Sequence, residues 1–272
     1  MATTIGSVDS ASHRYMVQAV GVGDPSCATM VNDGVYLDRD ARTVRYLPRE
    51  SWSEPKRPQI RPSEAMSLEG RVTLAALDAS LVSEFRVKLP LLLDASGDDG
   101  VRADFLQQFG KRVEAALGAI GMIAESVRVC NVAVNPPGTR STGKDFVTHE
   151  YVGLHIDNHD RLPLASRRTA IQLMTLNCGR STRYFHFIDL PVEELAKILH
   201  SPLDDPQEDR ATACDALKNK FLESYPDYPV TRVALPPGSL YVTTPQDIIH
   251  DGAGGDVDAD VAFLMLGRYR MS

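Results

Sequence analysis

The chain has 272 residues, a length that suits one large domain or two small ones. Apolar residues make up 43% of it, enough for a sizeable core, and the formal net charge is −7. An acidic chain without clustered lysine and arginine is not typical of nucleic-acid-binding proteins. No apolar run approaches the roughly 20 residues that span a bilayer. We therefore expect a single domain over residues 1–272 that acts on a small molecule, with neither nucleic acid nor membrane as a partner.

Cysteine usage and the N-terminus indicate the compartment. The cysteines are far apart and form no C-x-x-C pair, which argues against a zinc ribbon and a disulfide framework: Cys27, Cys130, Cys178 and Cys214. Residues 1–12 are small and polar and lack the basic-then-apolar order of a signal peptide. Free thiols in a reducing environment are expected, and the predicted location is cytoplasmic.

The N-terminal part, residues 1–126, is predicted to supply helices and edge strands. Tyr15–Val22 alternates weakly and predicts a strand, and Gly34–Leu47 has the pattern of a hairpin. Ser63–Glu69 is a candidate helix start, and Thr73–Val82 has apolar residues near helical spacing. Val101–Ile120 repeats apolar residues every three or four positions and predicts a helix.

The C-terminal part, residues 127–270, is predicted to be rich in strands. The segments with strand character are Val127–Asn135, Asp145–Leu154, Arg167–Leu176, Tyr184–Ile188, Val230–Leu235, Ser239–Thr243 and Val261–Tyr269. Two helices are expected among them, at Pro191–His200 and Asp209–Leu222, the first with proline and glutamates suited to a helix N-terminus.

One short stretch, Gly153–Asp157 (Gly-Leu-His-Ile-Asp), contains two candidate metal ligands. In an extended strand residues i and i+2 point to the same face, so His155 and Asp157 would aim an imidazole and a carboxylate at one point. His250, before Asp-Gly at the end of a later strand, offers a third ligand. Two histidines and one carboxylate with open positions opposite them form the facial triad of non-haem Fe(II) oxygenases.

Competing kinds of site lack their signatures. His149 and Glu150 precede His155, but the second histidine follows six residues after the first and not four, so the zinc-protease pattern H-E-x-x-H is absent. A deaminase zinc site would need C-x-x-C. Neither a phosphate-binding P-loop nor a G-x-S-x-G nucleophile turn occurs.

With His155-x-Asp157, His250 and Arg268 in this order, residues 127–270 resemble the Fe(II)- and 2-oxoglutarate-dependent oxygenase superfamily, and in finer detail its bacterial members that tailor small metabolites. The resemblance implies an α+β fold with a double-stranded β-helix (jelly-roll, cupin-like) core and flanking helices. It also implies that His155, Asp157 and His250 hold Fe(II) and are catalytic, with 2-oxoglutarate and O2 as cosubstrates. The reaction implied is hydroxylation or desaturation with release of succinate and CO2. Asp157 stands where related halogenases carry a small residue, which argues against halogenation.

The cation for the distal carboxylate of 2-oxoglutarate is implied to be Arg268, with the hydroxyl of Tyr241 or Thr243 beside it. An arginine offers a two-pronged hydrogen-bonding fork to a carboxylate. Arg268 lies eighteen residues after His250, later than in many relatives. Arg270, Arg183 and Arg168 therefore compete with it for this role.

The substrate is predicted to be a small metabolite, and the candidate residues flank the metal strand. Asn131 and Asn135 lie at alternate strand positions, and Asn158 and Arg161 follow the H-x-D pair. Basic residues in these loops favour an amino acid or derivative, although solvated loop charges explain them equally well.

Two alternatives use the same residues. One is a cupin-like metalloenzyme without 2-oxoglutarate. The other is a non-catalytic jelly-roll binding protein in which His155 and His250 are polar core residues.

Overall fold

Two facing β-sheets organise the chain in the computed structural model, which describes residues 14–20, 27–39, 45–55, 60–62, 68–94, 98–145, 147–203 and 210–272. The strands are β1 (Met16–Ala19), β2 (Thr29–Val31), β3 (Val35–Asp38), β4 (Arg45–Pro48), β5 (Ile60–Pro62), β6 (Arg71–Ala76), β7 (Met122–Asn135), β8 (Gln172–Asn177), β9 (Arg183–Pro191), β10 (Thr231–Leu235), β11 (Ser239–Thr243), β12 (Ile248–Ala253) and β13 (Asp260–Met271). The helices are α1 (Ala79–Leu93), α2 (Asp99–Ala119), α3 (Val192–Ile198) and α4 (Arg210–Ser224), with a 3-10 helix at Leu164–Thr169.

The strand order is that of a jelly roll. The larger sheet runs β5-β1-β6-β11-β8-β13-β7, and the smaller runs β12-β9-β10-β2. His155 bridges antiparallel to His250, which adds the H-x-D segment to the smaller sheet beside β12. With the H-x-D segment counted as a strand, from β7 onward the chain passes from one sheet to the other at each step except from β9 to β10, which are neighbours in the smaller sheet, and this is the order of a jelly roll. The predicted double-stranded β-helix core with flanking helices is confirmed.

Helices α1 and α2 cover the outer face of the larger sheet. In α2, Phe109, Val113 and Leu117 recur every four residues and are buried against that sheet. The Phe109 ring meets Phe263 of β13 edge-on, with the ring centroids 4.8 Å apart. Asp98 caps the helix by accepting a hydrogen bond from the Gly100 amide at 2.7 Å.

The smaller sheet is covered by α3, α4 and the β3–β4 hairpin. Leu195 of α3 and Phe221 of α4 are fully buried there, together with Val35 and Tyr46 of the hairpin. A third cluster of buried residues lies between the two sheets and includes Phe185, Phe187 and Tyr241. The interior of the barrel is therefore apolar at one end, and the polar residues described below occupy the rest.

Most predicted strands and helices are confirmed, but three segments differ from expectation. Asp145–Leu154 was predicted as a strand, whereas its described residues form turns and only single bridges, from Tyr151 to Lys144 and from Gly153 to Tyr46. Thr73–Val82 was predicted as a helix, whereas Arg71–Ala76 is a strand and α1 begins only at Ala79. Strand β6 is paired on both sides and its central residues 72–75 are all buried, so the strand lacks the alternation of apolar and polar residues that marks a half-exposed strand. Arg167–Leu176 was predicted as one strand, whereas its first residues belong to the 3-10 helix and β8 begins at Gln172.

Two further expectations concern the chain ends and membranes. Residues 1–12 and the start of the helix predicted at 63–69 lie outside the described residues, apart from Leu68 and Glu69, which are not helical. Among the described residues no helix combines the length and apolar character needed to cross a bilayer.

Candidate metal centre

Three potential metal ligands meet between the two sheets: His155, Asp157 and His250. Each offers one ligand atom, and these atoms all lie within 4.8 Å of one another. The side chains of His155 and Asp157 retain 19% and 31% of their exposure, while His250 is buried. A cation bound here would thus be coordinated by the three side chains on one side and would be accessible to ligands from solvent on the other.

The backbone brings these side chains together. His155 and His250 face each other across the antiparallel bridge, and each amide donates to the other's carbonyl, at 2.9 and 2.8 Å. Directly opposed residues in such a pair project to the same face, and the two imidazole centroids are 4.5 Å apart. Asp157 follows two residues later, and its amide donates to Pro245 at 3.2 Å. The predicted i, i+2 geometry is what the chain adopts.

Both imidazoles present the same nitrogen to the centre. His155 Nδ1 lies 2.7 Å from the Gly153 carbonyl oxygen, and His250 Nδ1 lies 3.2 Å from that of Ile248. A carbonyl oxygen only accepts hydrogen bonds, so each Nδ1 carries the proton and each Nε2 is left as a lone-pair donor. This commitment of one ring nitrogen to a backbone carbonyl is the usual support for a metal-binding histidine.

The electrostatics of the three side chains favour a cation. Burial disfavours charge on His155, but the hydrogen bond and charge of Asp157 outweigh it and raise the pKa of His155 to about 9. Burial likewise opposes ionisation of Asp157, yet the two histidines hold its pKa well below the usual range. Burial and the neighbouring His155 lower the pKa of His250 to about 4. A proton is thus stabilised on His155 beside a carboxylate and a neutral imidazole, a donor set that fits a divalent metal.

A buried arginine, Arg167, holds the backbone of the H-x-D segment in place through hydrogen bonds. Arg167, in the 3-10 helix, is fully buried; it donates to the carbonyl of Asp157 at 3.0 Å and to the side chain of Asn158. Asn158, predicted as a substrate contact, is therefore engaged in holding the H-x-D segment. The sequence predicted that Arg167 begins a strand, and the basic pair Arg167-Arg168 gave no sign that the first of the two side chains is buried.

A second buried arginine lies deeper between the sheets. The side chain of Arg183 on β9 is 5% exposed, and its Nε lies 3.3 Å from Asp260 Oδ1. Its Nε and Nη1 find no hydrogen-bond acceptor within the described part of the chain. A Cβ built on Gly252 would lie 3.1 Å from Nη2, and Gly252 is two residues from His250 on the same face of β12. The guanidinium thus points into the interior that the metal ligands share.

Tyr241 and Thr243, the predicted cosubstrate hydroxyls, are both buried on β11. The Tyr241 ring stacks on Phe185 with centroids 4.1 Å apart, and Phe185 in turn lies 5.9 Å from the His250 ring. Burial raises the pKa of Tyr241, while the charge of Arg183 opposes that shift. Tyr241 therefore belongs to the interior beside Arg183, whereas Thr243 donates its hydroxyl proton to the Arg71 carbonyl at 3.3 Å.

Arg268 and Arg270, two of the candidates for the distal carboxylate of 2-oxoglutarate, do not point into the interior between the sheets. Both are exposed: Arg268 donates to the Thr169 carbonyl at 3.3 Å, and Arg270 pairs with Glu125 at 2.7 Å. Both arginines are an even number of residues away from inward-facing positions of the strand. They lie, however, in the last residues of the twelve-residue strand β13, where its end is exposed. Arg168, the remaining alternative, is about one-third exposed and lies 3.6 Å from Asp247.

The predicted substrate residues separate into buried and exposed ones. Asn135 is buried and donates to Asp260 at 3.1 Å, so it lies in the interior beside the partner of Arg183. Asn131 and Arg161 are exposed, the latter with a φ of 49°. The structure brings Asn135 to the interior and leaves Asn131 and Arg161 at the surface.

The folded chain is similar to a solved oxygenase. It is similar to the apo structure of the Kdo hydroxylase KdoO, described as a non-heme Fe(II) alpha-ketoglutarate-dependent dioxygenase, with 13% identity and a TM-score of 0.44 over 75% of this chain and 80% of that one. The cobalt(II) complex and the complex with alpha-ketoglutarate and Fe(III) match at 14% identity over the same shares, each with a TM-score of 0.43. No family model and no curated protein matches the chain. At this identity the likeness is one of fold, and the function is argued from the side chains of this chain.

Proposed function

We propose that this protein is an Fe(II)- and 2-oxoglutarate-dependent dioxygenase that hydroxylates a small metabolite. The observation that carries the proposal is the His155–Asp157–His250 cluster, with ligand atoms within 4.8 Å and both Nδ1 atoms held by backbone carbonyls. Two imidazoles and one carboxylate on one face, with the opposite face open, suit non-haem Fe(II) and oxygen chemistry. Within the described residues the cluster has three ligands and not the four histidine or cysteine ligands that structural zinc prefers.

The three side chains have separate tasks in holding the metal. Asp157 would supply the negative charge, and the Nε2 atoms of His155 and His250 would supply neutral donors. His155 must release its proton for this, so metal binding and proton release are coupled. When bound, Fe(II) supplies the activation of O2 that couples conversion of 2-oxoglutarate to succinate and CO2 with oxidation of the substrate.

Arg183 is the proposed cation for the distal carboxylate of 2-oxoglutarate, in place of Arg268. It is buried and directed into the interior, and two of its donor nitrogens, Nε and Nη1, have no hydrogen-bond acceptor among the described residues. A buried guanidinium with unfilled donors is costly unless an anion meets it. Tyr241 would add its hydroxyl on the neighbouring sheet. Asp260 lies on the other side of Arg183 and would keep its orientation when the cosubstrate leaves.

The substrate is proposed to be a small polar molecule, such as an amino acid or its derivative, that enters from the exposed side of His155 and Asp157. Asn135 is the proposed polar contact for it. Hydroxylation is preferred over desaturation because it needs only one C–H bond held near the metal.

None of the four cysteines forms a disulfide, which supports a cytoplasmic setting.

The test is turnover of 2-oxoglutarate by the purified protein with Fe(II) and O2, followed as succinate formation. The proposal predicts succinate from the wild type and none above background from Asp157→Ala. Turnover of a substrate without any 2-oxoglutarate would instead indicate a cupin-like metalloenzyme. Absence of bound iron together with normal ligand binding by His155→Ala would indicate a binding protein.

A further inference from the structure

A short loop, residues 141–143, presses on the imidazole of His155. A Cβ built on Gly143 would overlap Cε1 of that ring and lie 3.0 and 3.1 Å from its two nitrogens. Real Cβ atoms almost never approach so closely, so only glycine leaves room for the ring. Gly143 does not have a positive φ. The requirement for glycine is therefore one of space and not of backbone conformation.

The loop is anchored to the residue that follows His250. Asp251 is fully buried, and its Oδ1 accepts hydrogen bonds from the amides of Thr142 at 3.3 Å and Gly143 at 3.2 Å. The same oxygen accepts from the Gly252 amide at 2.7 Å. The Thr142 amide also donates to the Gly252 carbonyl at 2.9 Å. One carboxylate thus joins the loop to β12 immediately beside a proposed metal ligand.

The loop also holds the acceptor that fixes the His155 ring. Ser141 Oγ accepts from the Gly153 amide at 3.1 Å, and the carbonyl of Gly153 faces His155 Nδ1. The Val152 amide donates to the Gly143 carbonyl at 3.0 Å. The ring of His155 is therefore confined on one edge by Gly143 and tied at Nδ1 by a residue that the loop itself secures.

We propose that Gly143 and Asp251 are positioning residues for the metal centre: Asp251 pins the 141–143 loop against His155 so that Nε2 points at the metal. This inference rests on the proposed function, because it concerns a ligand of the same centre. Neither residue belongs to the cluster of His155, Asp157 and His250 that would hold the metal. Loss of such supporting contacts around metal ligands typically weakens metal binding about 10- to 100-fold.

The experiment measures Co(II) binding to the purified full-length protein by calorimetry, together with the visible ligand-field bands of bound Co(II). Gly143→Ala and Asp251→Ala are expected to bind Co(II) about 10- to 100-fold more weakly than wild type, with shifted bands because the His155 ring turns. Asp251→Asn keeps the Oδ1 acceptor and is expected to restore the wild-type spectrum and affinity. Gly118→Ala is the matched control, since a Cβ there meets nothing within 4 Å.

The outcomes separate this inference from the proposed function. If wild type fails to bind Co(II), or His155→Ala binds it equally well, the proposed function fails and the inference fails with it. If wild type binds and His155→Ala does not, but Gly143→Ala and Asp251→Ala match wild type in affinity and spectrum, the positioning role alone is overturned. Should Gly143→Ala lose its near-ultraviolet circular dichroism, the Asp251→Ala and Asp251→Asn pair decides the matter.

Discussion

Replacing Arg183 by methionine should specifically weaken the binding of 2-oxoglutarate. Methionine has a similar length and retains the packing, but it removes the guanidinium donors that point into the interior. A guanidinium fork gives a carboxylate two charge-assisted hydrogen bonds, each worth about 1.5–3 kcal/mol. The lower end of that range gives about 3 kcal/mol for the pair, which corresponds to roughly 100-fold weaker binding.

The substitution also leaves Asp260 without its cation. The Asp260 side chain is fully buried, and breaking a buried ion pair typically costs about 3–5 kcal/mol of stability. The double variant Arg183→Met, Asp260→Asn removes this cost, and its amide oxygen can still accept from Asn135. A comparison of the double variant with Asp260→Asn therefore isolates the role of the guanidinium in binding.

The assay is an anaerobic titration of the Fe(II)-loaded protein with 2-oxoglutarate, followed by the visible charge-transfer absorption. Arg268→Met and Arg270→Met serve as controls, because both arginines are exposed and should leave the dissociation constant unchanged. Unchanged affinity in the Arg183 variants, combined with a large loss in Arg268→Met, would refute the assignment. It would also restore the role that sequence reasoning gave to Arg268.

Three further changes test other parts of the account. Asp157→Ala should abolish stoichiometric metal retention, measured as iron content after gel filtration, because two neutral imidazoles remain; full retention would contradict the triad. Phe85→Ala should lower the free energy of unfolding by about 3–5 kcal/mol in urea titrations, because the ring is fully buried in the core between the larger sheet and the helices α1 and α2. The affinity for the metal should not change. A change in that affinity would show that this core and the metal centre are coupled. Burial raises the pKa of Asp247 to about 6, so the folded chain holds this proton more tightly than the unfolded chain. Wild type should therefore lose about 2 kcal/mol of stability relative to Asp247→Asn as the pH rises from 4 to 6. A stability difference that stays constant across that range would refute the shift.

The His155–Asp157 part of the proposed metal site was predictable because its geometry is local. His155 and Asp157 share a strand face by the simple period of two, and a position at the end of a later strand brought His250 within reach. The same period could not decide whether Arg268 is buried. Its alternation is that of an inward position, but burial depends on where the barrel ends, which is set by pairing partners far away in the chain.

The other features that the sequence did not predict have similar physical causes. The β6 strand was mistaken for a helix because a strand covered on both faces loses its alternation, and apolar residues then fall near helical spacing by chance. Gly143 and Asp251 carried no sequence signal for the positioning role that we propose. The hydrogen bond between them joins segments over a hundred residues apart, and the packing of Gly143 against His155 depends on a loop that has no sequence motif. The sequence could name Arg183 only as one of four candidates, because its burial and its ion pair with Asp260 on the opposite sheet depend on the folded chain.

The most direct test of the central claim is an anaerobic titration of the metal-free protein with Fe(II) and then with 2-oxoglutarate, followed by visible absorption. The account predicts a weak charge-transfer band that appears only when both are present, and that is absent in Asp157→Ala. No band and no retained iron in the wild type would contradict it, and would leave His155, Asp157 and His250 without a shared metal.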